Sequence, residues 1–131
     1  MTDGTQGEDR RRAGLEKMAE VYGWDPEAVG AATGDFMDLT IEHLFGAVWQ
    51  RGVLDLRERR LVLVALLVGM GLHDVAELQI DAGLRQGDLR AEDVRELVVF
   101  LAHYAGWPRG AKLYTATEEI IRRHESGAAR G

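Results

Sequence analysis

Apolar residues recur along most of this chain at three- and four-residue intervals with polar positions between them, a spacing that predicts helices. Read this way, segments near 9–22, 26–33, 36–51, 56–71, 75–86, 91–105 and 108–124 are helical. No segment alternates apolar and polar residues like a strand, with β-branched residues and hairpin turns at its ends. The expected fold class is all-α, a compact helical subunit of about six to seven helices.

Local signals sharpen several boundaries. Asp25-Pro26-Glu27 combines an N-cap, a proline in the first turn and an acid near the positive end of the helix dipole. Asp55 with Glu58 has the spacing of a capping box, and Asp74 with Glu77 repeats it. Gly34, Gly87 and Gly106 stand where helices can stop, because glycine tolerates the left-handed conformation that often follows a helix. Residues 1–9 and 125–131 are rich in glycine, small and charged residues and are expected to be flexible tails on a single helical domain over 10–124.

Two helices lack a polar face: the stretches Leu61 to Leu72 and Leu97 to Ala105 are apolar almost all round. Such helices need cover on every side. A chain of 131 residues offers few elements to provide it, so a homo-oligomer is expected.

Composition narrows the function. The chain has no cysteine, which excludes thiolate nucleophiles, disulfides and cysteine-based metal sites. Its net charge is −6 and it has no basic stripe, so nucleic acid is not an expected partner. The longest apolar run, Leu61 to Met70 with Leu72, is far short of the roughly 20 residues of a membrane span. With no apolar signal region in Met1 to Asp9, a cytoplasmic location without membrane contact is expected. No glycine-rich phosphate loop or HExxH is present, His43, His73, His103 and His124 are far apart, and Ser126 is the only serine. Neither a metal site, a bound cofactor nor a serine triad is expected.

The remaining signal is polar side chains on faces expected to be buried, since an unpaired buried polar group costs about 1–3 kcal/mol. Gln79 falls within the stripe Val75, Leu78, Ala82. His103 and Tyr104 end the apolar run Leu97 to Ala102 just ahead of Gly106-Trp107-Pro108, while Trp49 and Arg51 close the 36–51 helix with His43 upstream. Each also has a packing role open to it: a core histidine bonded to backbone, a packed tyrosine with a wet hydroxyl, tryptophan anchors, an arginine answering a helix C-terminus. His73, His124, Arg10-Arg11-Arg12 and Arg122-Arg123 read as solvated surface.

Several segments together resemble the carboxymuconolactone decarboxylase family, in the alkylhydroperoxidase D-like superfamily. They are Phe45-Gly46-Ala47-Val48-Trp49-Gln50-Arg51, Leu54-Asp55-Leu56-Arg57-Glu58-Arg59-Arg60-Leu61-Val62, Ala82-Gly83-Leu84-Arg85-Gln86-Gly87, Glu92-Asp93-Val94-Arg95-Glu96 and Tyr104-Ala105-Gly106-Trp107-Pro108. The resemblance implies an all-α subunit in a trimer or ring-like hexamer, with pockets at or near subunit contacts. The redox cysteine pair of the peroxidase branch is missing, so the chain is not expected to be a thiol peroxidase; through Trp49-Gln50-Arg51 and the Tyr104 to Pro108 turn it resembles the decarboxylase branch. A gapless match places Gln79 where decarboxylase members carry a histidine, and Ala47 where the family often carries an acid.

The resemblance implies a cofactor-independent, lyase-type enzyme that decarboxylates or isomerises a small cyclic acid or lactone. In that chemistry His103 or Tyr104 would supply a proton, and Gln79 would offer a neutral hydrogen bond to a carbonyl oxygen. Arg51 would hold a carboxylate, with Trp49, Trp107 and His43 completing the substrate contacts. The alternative is a non-catalytic helical oligomer that binds a small hydrophobic acid or a partner protein.

Overall fold

The computed structural model describes residues 2–130, so Met1 and Gly131, the extremities of the two expected tails, lie outside the described residues. Among the described residues the chain is helical with no strand. It resolves into two compact units that divide between Leu54 and Asp55.

The first unit contains α1 (Thr2–Tyr22), the short α2 (Pro26–Gly30) and α3 (Asp35–Asp38), which runs on as a π-helix over Leu39–Val48. Asp25 caps α2 as expected, its Oδ1 accepting from the Glu27 N–H at 3.1 Å. Gly34 does not end a helix; with φ +110° it stands at the N-terminal boundary of α3. The π-helix closes with the Trp49 N–H donating to the Leu44 carbonyl at 2.8 Å, one residue further back than an α-helical bond. Its Ile41 and Phe45 join Met18 and Val21 of α1 among the buried side chains.

Glycines set the approach of α1 to the π-helix. A Cβ on Gly14 would overlap the Ile41 carbonyl group, and one on Gly46 would lie 2.5 Å from the Arg10 carbonyl oxygen. The crossing is backbone on backbone. Two side chains fasten it: Gln50 Nε2 donates to the carbonyls of Ala13 (3.1 Å) and Phe45 (3.0 Å). Arg11 donates to the Gly30 carbonyl at 2.9 Å and pairs with Asp38 at 3.3 Å, so it ties three elements together rather than lying in solvent.

The second unit contains α4 (Leu56–Gly69), α5 (His73–Gln86), α6 (Ala91–Ala105) and α7 (Trp107–Arg130). The Asp55–Glu58 capping box forms in both directions, each bond 2.8 Å. The Asp74–Glu77 box does not. Helix α5 begins at His73, which puts Asp74 inside the first turn, where its carboxylate accepts from the Val75 N–H. Gly87, φ +89°, ends α5 in the left-handed conformation and donates to the Gly83 carbonyl. Gly106, φ +105°, separates α6 from α7, and Pro108 falls in the first turn of α7, where its missing N–H costs nothing. The core gathers Val64 and Val68 of α4, Ile80 of α5, Val94 and Leu101 of α6, and Leu113 and Ile121 of α7.

Other expectations need correction. On α5 the inward face is Ala76, Gln79, Ile80 and Gly83, while Val75 and Leu78 are partly exposed; Gln79 is buried as expected, but on a face turned from the one the apolar stripe suggests. Helix also covers residues 2–8 and 125–130, where tails were expected. No proline interrupts these ends, and ion pairs one turn apart, Asp9–Arg12 and Glu119–Arg122, lie on the helix next to them. His124 is not plain surface, since its Nε2 meets Asp81 Oδ1 at 2.8 Å.

Each of the two all-apolar helices buries one face and leaves the other uncovered within this chain: Val62, Leu66 and Met70 on α4, Val99 and Phe100 on α6.

The glycine crossing yields a direct test. Gly14→Ala is expected to destabilise the protein by about 3 kcal/mol through overpacking. Gly52→Ala, at a glycine with nothing within 4 Å, serves as the control and is expected to change stability by less than about 1 kcal/mol. Urea denaturation of both variants reads the difference, and equal midpoints would contradict the crossing.

Candidate functional site

Arg60 lies at the end of the first turn and a half of α4, on the stripe that continues as Val64, Leu67 and Val68. That position buries it completely, at 0% exposure. A buried guanidinium survives only with its donors met and its charge balanced. Its Nε and Nη2 close on Asp88 Oδ2 and Oδ1 at 2.6 and 2.9 Å, the two-pronged geometry arginine shares with a carboxylate. Its Nη1 donates to Gln79 Oε1 at 3.1 Å and lies 3.4 Å from the Gln79 carbonyl oxygen.

The local sequence makes room for this cluster. A Cβ on Gly83 would lie 2.7 Å from Arg60 Cδ and 2.5 Å from Leu89 Cδ1, so glycine is the residue that admits the arginine stem. The left-handed turn at Gly87 brings the chain round so that the next residue, Asp88, reaches α4. Arg57 Nη1 then donates to the Asp88 carbonyl at 3.3 Å. Sequence reasoning placed Gln79 on a buried face but missed Arg60 and Asp88. The available signal was helical register, since Arg60 stands four residues before Val64.

His103 and Trp107 form a second locus. The His103 ring meets Trp107 edge-on at 5.7 Å between centroids. Its Nδ1 lies 2.6 Å from the Val99 carbonyl oxygen. A carbonyl only accepts, so Nδ1 carries the hydrogen and Nε2 is the nitrogen presented to a ligand. Trp107 lines an open hollow of about 280 Å³ with Val98, Val99, Ala102, Gly110, Ala111 and Tyr114; His103 is not among its lining residues. Its lining carries no charged residue. Tyr104 is 80% exposed and packs only its ring, against Phe100 at 5.2 Å.

Gln79 and His103 therefore have different surroundings. The first is sealed beside Arg60, and the second stands exposed at the junction of α6 and α7.

The remaining candidates belong to the first unit. Trp49 stacks on Phe45 at 5.4 Å with planes 9° apart. Arg51 is exposed, and its N–H donates to the Val48 carbonyl at 3.2 Å, closing the turn after the π-helix. His43 is exposed and lines an open polar hollow of about 420 Å³ with Arg10, Asp38 and Glu42. Among the described residues no three His, Asp or Glu side chains come together as a metal site, and no helix is long and apolar enough to cross a membrane.

The profile described as "Carboxymuconolactone decarboxylase family" matches residues 34–119, a span that contains all seven candidates. The chain belongs to the carboxymuconolactone decarboxylase family. It is also 28% identical over 120 residues to the 4-carboxymuconolactone decarboxylase of Acinetobacter baylyi, covering 88% of this chain and 89% of that protein.

Electrostatics at the start of α6 give a pH-dependent expectation. The Arg90 N–H, donating at 2.9 Å, holds the Asp93 carboxyl below its ordinary range, helped by the Arg90 side chain and the charges of Arg57 and Arg90 against the cost of burial. Because folding lowers this pKa, the stabilisation is complete above the unfolded value of about 3.9 and fades as pH falls through the lower folded value. Asp93→Ala is expected to cost about 1 kcal/mol at neutral pH, the usual worth of such a cap. The gap from wild type should close as the pH drops below about 4. Urea melts across pH check this, and a gap that stays constant into strong acid would refute it.

Proposed function

We propose that this protein is a cofactor-independent decarboxylase acting on a small cyclic acid or lactone. The observation that carries the reading is the His103 imidazole, anchored on the Val99 carbonyl and edge-on to Trp107, which lines an apolar hollow, in a chain that belongs to the decarboxylase family. A hollow of about 280 Å³ suits a single-ring substrate rather than a large one.

In this reaction the bond from carbon to the carboxylate breaks and carbon dioxide leaves. The electron pair moves onto a neighbouring carbonyl, and a proton then returns to carbon. Trp107 and the aliphatic lining keep water from the departing carboxylate. His103, protonated on both nitrogens, gives the Nε2 proton to carbon while Nδ1 stays on the Val99 carbonyl, with Tyr104 as the second candidate donor. Gln79 is 1% exposed and is not among the residues lining this hollow, so no contact to the substrate is assigned to it. Within the first unit, Arg51 is the candidate ligand for a carboxylate, and Trp49 and His43 are candidate substrate contacts of that unit.

We also propose a homo-oligomer, a trimer or hexamer, in the cytoplasm. The exposed apolar faces support it, since Val62, Leu66 and Met70 of α4 and Val99 and Phe100 of α6 would otherwise remain in water. The 4-carboxymuconolactone decarboxylase relative makes carboxymuconolactone the first substrate to try.

Steady-state turnover of carboxymuconolactone and keto-acid analogues tests the proposal. His103→Ala is expected to lower kcat by roughly 10²–10⁴-fold, the range for losing a general acid. Arg51→Ala is expected chiefly to raise KM. Unchanged turnover in both variants would remove these residues from the chemistry. Saturable binding without product would favour the non-catalytic reading, for which the engagement of Gln79 by Arg60 already speaks.

A further inference from the structure

The hollow that Trp107 lines is built on one face of α7. Trp107, Gly110, Ala111 and Tyr114 stand at positions i, i+3, i+4 and i+7 of that helix, a spacing that puts them side by side. The two aromatic residues are two turns apart, about 10.5 Å along the axis. Only a glycine and an alanine lie between them on this face, and Val98, Val99 and Ala102 of α6 form the back wall. Packing fixes the glycine, since a Cβ on Gly110 would lie 2.4 Å from that of Ala102. Ala111 is exposed, so a longer side chain there would extend over the hollow rather than into the core. Both rings are largely exposed, 66% for Trp107 and 57% for Tyr114, so a ligand between them covers apolar surface.

The charges around the hollow are unevenly placed. At the Tyr114 end, Glu118 follows by one helical turn and takes both Nε and Nη2 of Arg95, at 3.0 and 3.1 Å, which leaves a pair with no net charge. At the Trp107 end, His103 meets the indole edge-on, and the exposed Arg109 follows two residues on, with Nη1 3.4 Å from the Ala105 carbonyl oxygen. Lys112 is exposed on α7 and does not line the hollow. A carboxylate pushed toward Tyr114 would lose water and gain no partner, a costly exchange. One left at the Trp107 end keeps its water and stays near groups that can hydrogen-bond it.

We propose that the hollow takes the uncharged edge of the substrate ring, and that Ala111 is the residue that sets how large this edge can be. The substrate class is then a single-ring acid whose charge is confined to the edge at the Trp107 end. The inference rests on the assignment of this hollow to the substrate in the proposed decarboxylation.

Benzoate and terephthalate, the same ring with one carboxylate or with a second at the opposite edge, serve as probes of the full chain. NMR follows the Trp107 indole N–H and the Ala111 methyl group. Benzoate is expected to shift both signals saturably, and terephthalate to bind more weakly by about ten-fold or more. Ala111→Leu is expected to fold normally, being an exposed helix position, and to weaken benzoate binding by about ten-fold or more. Benzoate that shifts neither signal, terephthalate that binds as tightly, or an Ala111→Leu variant with unchanged affinity overturns the proposal. Signals that move with protein concentration instead of with benzoate give the hollow to a second copy of the chain and overturn it as well. These measurements need no turnover, so a protein that binds the probes as expected but converts no acid sinks the decarboxylase reading while the preference of the hollow stands.

Discussion

The second unit is organised around a charge that has no access to water. Arg60 is fully buried, and the idealised cost of burying a lone ion is so large that its surroundings must answer it. Several features of the chain do so together. The stop at Gly87 delivers Asp88, the missing side chain of Gly83 admits the arginine stem, and Gln79 takes the remaining donor. Changing any of them leaves a buried charge incompletely met.

The first unit meets a different constraint by different means. Its α1 and π-helix approach so closely that glycine is required on both sides, at Gly14 and Gly46. The same tight fit brings the Gln50 amide within reach of carbonyls on both helices. The two units thus illustrate two ways of specifying a helix pair: a paired charge in one, and the removal of side chains in the other.

Much of this architecture was legible in the sequence because helical periodicity and capping are local. The α6 boundaries, the Asp55–Glu58 box and the Gly87 stop follow from residue type and spacing. The Asp74–Glu77 pair has the same spacing but forms no box, because α5 starts at His73, two residues earlier than that pattern requires. The π-helix was not legible, since a one-residue shift in hydrogen-bond register leaves composition unchanged. Among site residues, the burial of Gln79 was readable. Arg60 was hidden in Arg57-Glu58-Arg59-Arg60, which reads as an ordinary charged first turn. The separate surroundings of Gln79 and His103 depend on tertiary packing, which no spacing along the chain reports.

Family membership supplies the reaction class, and the buried cluster supplies what is particular to this chain. The central claim is that Arg60 and Asp88 act as one unit, and a double-mutant cycle with Arg60→Met and Asp88→Leu tests it most directly. Each single change should cost about 3–5 kcal/mol in urea denaturation, because it strands the partner's charge. The double variant should cost much less than the sum, with a coupling of about 2 kcal/mol or more. Additive losses, or single losses below about 1 kcal/mol, would contradict the account.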